Sequence, residues 1–325
     1  MQDNTQAIHE INQVIQEVRK AIVGKDIIIA KVFLAILASG HVLIEDMPGV
    51  GKTTLALAFS KALSLSYKRT QFTPDVLPSD LTGFSMYQKR TDSFAFQPGS
   101  LFCQLFLADE INRTSSKTQS ALLEAMEENA VTVDGHTYRL PQPFVVLATQ
   151  NPIGSVGTRM LPESQMDRFM FQLKMGYPTL QEEIQILRSK QAGNPLDQIH
   201  PILDAERLLH LRTAVQNVYV SDQIYQYIAT LVAETRTHPA IALGVSPRGT
   251  LALADASKAM AFMRGRNYVI PDDVRSLCKD VFVHRILLRS GTAKTSDMER
   301  ILDEILQRVP MPRPAATVSY THLTL

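Results

Sequence analysis

Two stretches of the chain combine residue types and spacings suited to phosphate chemistry. The first is Pro48-Gly49-Val50-Gly51-Lys52-Thr53-Thr54. Glycines let backbone N–H groups turn inward around an anion, and a helix opening there adds partial positive charge. Lys52 could then reach the β- and γ-phosphates of a nucleotide, with the Thr53 hydroxyl on magnesium. The strict pattern G-x-x-x-x-G-K-[ST] wants a glycine at position 46, where this chain has Asp46. Taken alone, the stretch also fits a glycine-rich turn with an exposed lysine. The second stretch is Leu105-Phe-Leu-Ala-Asp109-Glu110. An apolar run ending in two carboxylates suits a metal and water site. Asp109 would hold magnesium, directly or through water, and Glu110 would orient or deprotonate the attacking water. On its own, such a pair fits a solvated loop equally well.

A third polar group closes Phe144-Val-Val-Leu-Ala-Thr149-Gln150-Asn151. Ligands of open α/β sheets bind outside the carboxyl ends of the strands. There Asn151 could hold the attacking water and the γ-phosphate, or it could be a turn asparagine before a proline.

Elements must bring these groups together. Ile8, Ile11, Val14, Ile15, Val18 and Ile22 recur at helical spacing, and a second apolar helix is predicted over 27–39. A buried strand over 41–45 and a helix over 53–63 bracket the glycine loop. A strand at 105–108, a helix over 117–129 and a strand at 144–148 continue the alternation, which implies a parallel sheet with helices on its faces. Hairpin-like inserts are predicted at 83–99 and 131–138, the second with Asp134-Gly135 at its turn. After Pro178 only helices are expected. Thr179 to Glu182 reads as a capping box. Further helices are predicted near 205–218, 221–237, 248–262 and 271–282.

Composition sets broad limits. Lys plus Arg number 33 against 32 Asp plus Glu, a formal charge of +1. That balance gives no global attraction to nucleic acid or an anionic membrane. No basic and stacked-aromatic pattern marks a nucleic-acid groove. Cys103 and Cys278 lie far apart, in no metal-ligand spacing, and read as buried thiols of a reducing compartment. The first residues carry no apolar signal core, and no run is long enough for a membrane span. A soluble cytoplasmic protein is the expectation. His41 reads as structural, His136 as solvated, and Met160, Met166, Met170 and Met175 as core filling. Residues 314–325 read as a disordered or non-native tail.

Several separate motifs, in order, resemble the MoxR family of AAA+ ATPases. They are Glu45 to Thr53, Phe72-Thr-Pro-Asp75 with Leu77-Pro-Ser-Asp80, Leu107 to Arg113, Ala148 to Pro152, Leu161 to Phe169, and Gly265 to Asp273. The resemblance spans roughly Ala7 to Pro310. It implies an α/β fold: a P-loop AAA+ core with a parallel sheet flanked by helices, plus a small all-helical lid domain. The expected division is 1–177 for the nucleotide-binding domain with its hairpin inserts and 178–313 for the lid.

The same resemblance implies roles. Val23 and Gly24 match the segment that packs near adenine. Pro48, Gly49, Val50, Gly51, Lys52, Thr53 and Thr54 match the nucleotide loop. Asn151 matches sensor 1, Arg168 the arginine finger that enters a neighbour's site, and Arg248 sensor 2 on the lid. Without the resemblance, Arg168 fits a surface salt bridge and Arg248 a helix N-terminal charge. Arg113 has two readings, reaching an adjacent subunit or capping its own loop. The implied cofactors are ATP and Mg2+. The implied assembly is a homo-oligomeric ring, usually a hexamer, with a possible partner carrying a von Willebrand factor A domain. The implied activity is chaperone-like ATP hydrolysis that assembles or metal-loads client complexes, with ATP between the α/β domain and the lid. Two other functions stay open: an ATP-gated binding module with little turnover, and a nucleic-acid motor of related fold.

Overall fold

The computed structural model describes residues 2–47, 49–151, 161–191, 193–290 and 295–312. Pro48, Met160 and the tail at 314–325 lie outside the described residues.

Two helices open the chain, α1 (Gln2–Ala21) and α2 (Asp26–Leu37). The alternating part follows with β1 (Val42–Glu45), α3 (Lys52–Ala62), β2 (Tyr67–Gln71) and α4 (Pro78–Thr82). Next come the hairpin β3 (Gly83–Gln88) and β4 (Ser93–Pro98), then β5 (Leu105–Asp109) and α5 (Ser116–Glu128). A second hairpin, β6 (Ala130–Val133) and β7 (His136–Arg139), leads to β8 (Val145–Gln150), α6 (Glu163–Met166) and β9 (Phe171–Leu173). The remainder is α7 (Leu180–Gln191), α8 (Ala205–Gln216), α9 (Asp222–Thr237), β10 (Ile241–Leu243), α10 (Pro247–Met263), α11 (Pro271–Phe282), β11 (Leu287–Leu288) and α12 (Thr295–Arg308).

Five parallel strands form the main sheet in the order β2-β5-β8-β1-β9. The central strands β1, β5 and β8 are buried along their whole length, which is why they read as unbroken apolar runs. Their side chains alternate between two cores. Val42, Ile44, Leu105, Leu107, Val145 and Leu147 face one, and Leu43, Phe106, Ala108, Val146 and Ala148 face the other. The first core continues without a break into the later helices through Leu208, Leu253 and Leu277. Helix α1 buries Ala7, Ile11, Val14 and Val18, packs on α2 and α3, and also touches α10. The chain after Pro178 is therefore fastened to the sheet layer by shared apolar packing.

Four strands depart from the sequence reading. The edge strand β2 is Tyr-Lys-Arg-Thr-Gln, too polar to read as a strand. Strand β9 has only three residues. Beyond Pro178, where helices alone were expected, β10 and β11 pair as a short antiparallel ribbon. With three and two residues they are too short for a period of two to register. The capping box at Thr179 is present, since its backbone N–H donates to Glu182 Oε2 at 2.7 Å and its hydroxyl accepts from the Glu182 N–H at 3.4 Å. Among the described residues no helix is long and apolar enough to cross a membrane.

Both cysteines are buried, and burial pushes their thiols up to about 12. His41 is structural, as expected. Its Nδ1 accepts from the Val146 N–H at 3.0 Å, so its Nε2 donates to the Met126 carbonyl at 3.1 Å. Burial holds its pKa down to about 4, so the ring is neutral at pH 7.

Candidate active site

Parallel pairing of β1, β5 and β8 lines up their carboxyl ends, and the sequence motifs follow those ends directly. Beyond β1, Gly49 and Gly51 have φ of +87° and +95°, conformations that side chains rarely adopt. Gly51 precedes the first turn of α3, so the loop runs straight into a helix N-terminus. Lys52 is only 8% exposed. Its Nζ donates to the Asp46 carbonyl oxygen at 2.6 Å. Burial lowers its pKa, while the charges of Asp109, Asp46 and Glu110 pull it back up. A buried ammonium held by a neutral carbonyl is poised for a stronger anion.

Asp46, the departure from the glycine pattern, has a structural role. One carboxylate oxygen accepts the Met47 N–H at 2.8 Å and the other the Gly176 N–H at 2.5 Å. It ties the phosphate loop to the segment that leads into α7. Glycine has no side chain for that tie.

Asp109 and Glu110 follow on β5. Thr149 Oγ1 donates to one Asp109 oxygen at 2.6 Å. Arg69, on β2, donates to the other through Nε at 3.2 Å and Nη2 at 2.7 Å. Glu110 sits in a left-handed conformation with φ +58°. Its backbone N–H donates to Thr149 Oγ1 at 2.8 Å. Its Oε2 accepts from Gln71 Nε2 and from Arg113 Nη1, both at 2.8 Å. Arg113 thus pairs with the glutamate three residues before it, which matches the loop-capping alternative for this arginine. Asn151 directly follows β8, and its carbonyl accepts from Asn112 Nδ2 at 3.2 Å. Sequence reasoning missed Arg69 and Gln71 because β2 was not read as a strand. Their alternation along 67, 69 and 71 is the signal that could have found them.

Val23 shares a cavity with Thr54, at the start of α3. A cavity of about 430 Å³ is lined by Val23, Thr54, Ile186, Lys190, Asn194 and Leu196. Gly24 has φ +72°, and a Cβ there would fall 1.8 Å from Glu182 Oε1, so a side chain would be strained and would displace the Glu182 carboxylate.

Arg168 and Arg248 are placed elsewhere. Arg168 Nη1 pairs with Glu127 Oε2 at 2.5 Å, and Arg248 Nη2 pairs with Glu127 Oε1. They line a cavity of about 360 Å³ with Ser39, Gly40 and His41, at the amino end of β1. The phosphate loop leaves the carboxyl end of that strand. Four strand residues span about 13 Å. Arg248 therefore stands on the far side of β1 from Lys52 of its own chain, where α10 starts. Asp167 secures the arrangement. It accepts from Ser246 Oγ at 2.7 Å and from Arg285 Nε at 2.7 Å, so the residue before Arg168 is bound to the serine two before Arg248. Burial pushes Arg285 down to about 10, against the pull of Asp167.

Comparison with known proteins agrees with the fold. The model for the "ATPase family associated with various cellular activities (AAA)" matches residues 41–171, and an AAA lid domain model matches 233–305. The protein YeaC of Bacillus subtilis, of uncharacterised function, is 46% identical, across 93% of this chain and 95% of its own. Chaperone MoxR1 of Mycobacterium tuberculosis is 37% identical, across 97% and 86%. The crystal structure of an ATPase candidate from Cytophaga hutchinsonii superposes with a TM-score of 0.88 at 35% identity, covering 96% of this chain and 98% of that one. With a phosphate loop, an Asp-Glu pair and a sheet of this order, the chain belongs to the MoxR family of AAA+ ATPases.

Proposed function

We propose that this chain hydrolyses ATP with Mg2+ in a site shared between neighbouring copies, and uses the energy to remodel client protein complexes in the cytoplasm. The observation that carries the proposal is the convergence of Lys52, Asp109, Glu110 and Asn151 at one end of the sheet. The residues suit the ligands. Mg2+ typically keeps several waters and takes one or two carboxylates plus substrate phosphates. The Thr53 hydroxyl and the Asp109 carboxylate supply hard oxygens of that kind. Among the described residues no cluster of three His, Cys, Asp or Glu offers a closed metal cage. When bound, the metal neutralises charge on the β- and γ-phosphate oxygens.

The chain's own residues divide the remaining work. Gly49, Val50 and Gly51 turn backbone N–H groups toward the phosphates, with Pro48 and Thr54 on either side. Lys52 leaves the Asp46 carbonyl for the β- and γ-oxygens. Glu110 takes the proton of the attacking water, which Asn151 orients. Val23 borders the cavity for the base, and Gly24 follows it in the chain. Arg168 and Arg248 serve the γ-phosphate of an adjacent copy, since both sit at the far end of β1 from the phosphate loop of their own chain. Such donors are worth about 10³ to 10⁵ in rate. A head-to-tail ring, hexameric as in the family, satisfies that geometry. The division into an ATPase domain to residue 177 and a lid from 178 to 313, and a partner with a von Willebrand factor A domain, belong to the same proposal.

The test is phosphate release with a Glu110→Gln variant. ATP affinity should stay within about twofold, while turnover falls by about 10² to 10⁴. Undiminished hydrolysis would remove Glu110 from the mechanism and leave the chain a nucleotide-gated binding module.

A further inference from the structure

Glu127 lies in the last turn of α5, where the helix dipole disfavours a carboxylate and where no basic residue of the helix offsets it. Its two oxygens are divided between Arg168 and Arg248. All three side chains are partly open to solvent, at 41% for Glu127, 29% for Arg168 and 40% for Arg248. The cavity of about 360 Å³ opens beside them. Glu127 is not what brings the arginines together. The bond from Ser246 to Asp167, and that from Arg285 to the same carboxylate, already fix the two backbones side by side. What Glu127 adds is an anion on both guanidinium groups.

We propose that Glu127 is an internal stand-in for phosphate: a carboxylate that occupies Arg168 and Arg248 in the separate protomer, and that the γ-phosphate of a neighbour's ATP displaces when copies associate. This rests on the proposal that both arginines act across the subunit boundary. The exchange is chemically favourable. A terminal phosphate carries more negative charge than a carboxylate and offers three oxygens to two guanidinium forks. It also has a cost, because the arginines must first release Glu127. Assembly and turnover are then restrained at low protein concentration and released as copies meet with ATP bound.

The experiment compares full-length wild type with Glu127→Gln and Glu127→Ala, after thermal melts show that each is folded. ATPase activity per chain is followed against protein concentration at saturating ATP. In parallel, ATP-dependent association is followed by sedimentation velocity in a Glu110→Gln background, where no turnover intervenes. Partly exposed ion pairs are individually weak, so the half-maximal protein concentration should fall by about three- to tenfold in both measurements. The plateau activity should not decrease. In sedimentation, the shift should vanish in an Arg168→Ala, Arg248→Ala background. An unchanged or raised midpoint, or a lowered plateau, overturns the proposal. If Arg168→Ala and Arg248→Ala instead keep wild-type turnover, the failure lies with the shared site itself.

Discussion

Asp46 occupies the place where the phosphate-loop pattern has its first glycine, and its carboxylate holds two backbone N–H groups, those of Met47 and Gly176. Hydrogen bonds to a charged acceptor contribute about 1.5–3 kcal/mol. Asp46→Gly should therefore lower thermal stability and weaken binding of a non-hydrolysable ATP analogue by about tenfold, as Lys52 loses a fixed loop. Asp46→Asn should fall between, because an amide accepts with its oxygen alone. Calorimetric titration checks this, and an affinity equal to wild type would show that the tie to Gly176 does not order the loop. The residues of this site differ in how legible they were. Lys52, Asp109 and Glu110 announce themselves because their meaning lies in immediate neighbours along the chain. Arg69 and Gln71 stayed hidden on a polar edge strand. The sharing of Glu127 by Arg168 and Arg248 has no local signature, because it joins three elements far apart in sequence.

The two hairpin inserts meet at the scale of elements. Phe96 on β4 stacks on Tyr138 of β7 with ring centroids 3.8 Å apart and planes at 9°, and Phe102 closes on Phe96 edge-on at 5.4 Å. An aromatic pair adds about 0.5–1.5 kcal/mol beyond the area it buries. Tyr138→Ala should cost about 1–2 kcal/mol in denaturant unfolding and speed amide exchange over residues 83–98, leaving ATP affinity unchanged. Exchange that accelerates equally in β1 and β5 would mean that the contact supports the whole sheet. Both inserts were visible in the sequence as interruptions of the alternation, the second through Asp134-Gly135. Their contact was not, since stacking depends on how the sheet delivers each hairpin. Periodicity also read the long helices well, with α9, α10 and α11 within a residue of their expected ends. It failed for β9, β10 and β11, which are too short to show a period.

For the molecule as a whole, one apolar core runs from α1 through the sheet into α8, α10 and α11, so the two halves of the chain are packed as one. That packing carries Arg168 and Arg248 to the opposite end of β1 from Lys52. If each active site draws these arginines from the next copy, Arg168→Ala and Glu110→Gln proteins should be nearly inactive alone and should restore activity when mixed. In a randomly mixed head-to-tail ring about a quarter of the sites receive both intact groups, which sets the expected recovery. Phosphate release from pre-mixed protein measures it. A mixture no more active than its components would place the arginine within its own subunit.

The Asp167 carboxylate has a mechanical meaning as well. It grips Ser246 at the start of α10 and Arg285 beyond α11 while belonging to the loop that ends in Arg168. It acts as a gear pin: a rotation of those helices would pull on the Arg168 loop through these bonds. A stroke begun over one nucleotide would then be transmitted as timing to the next.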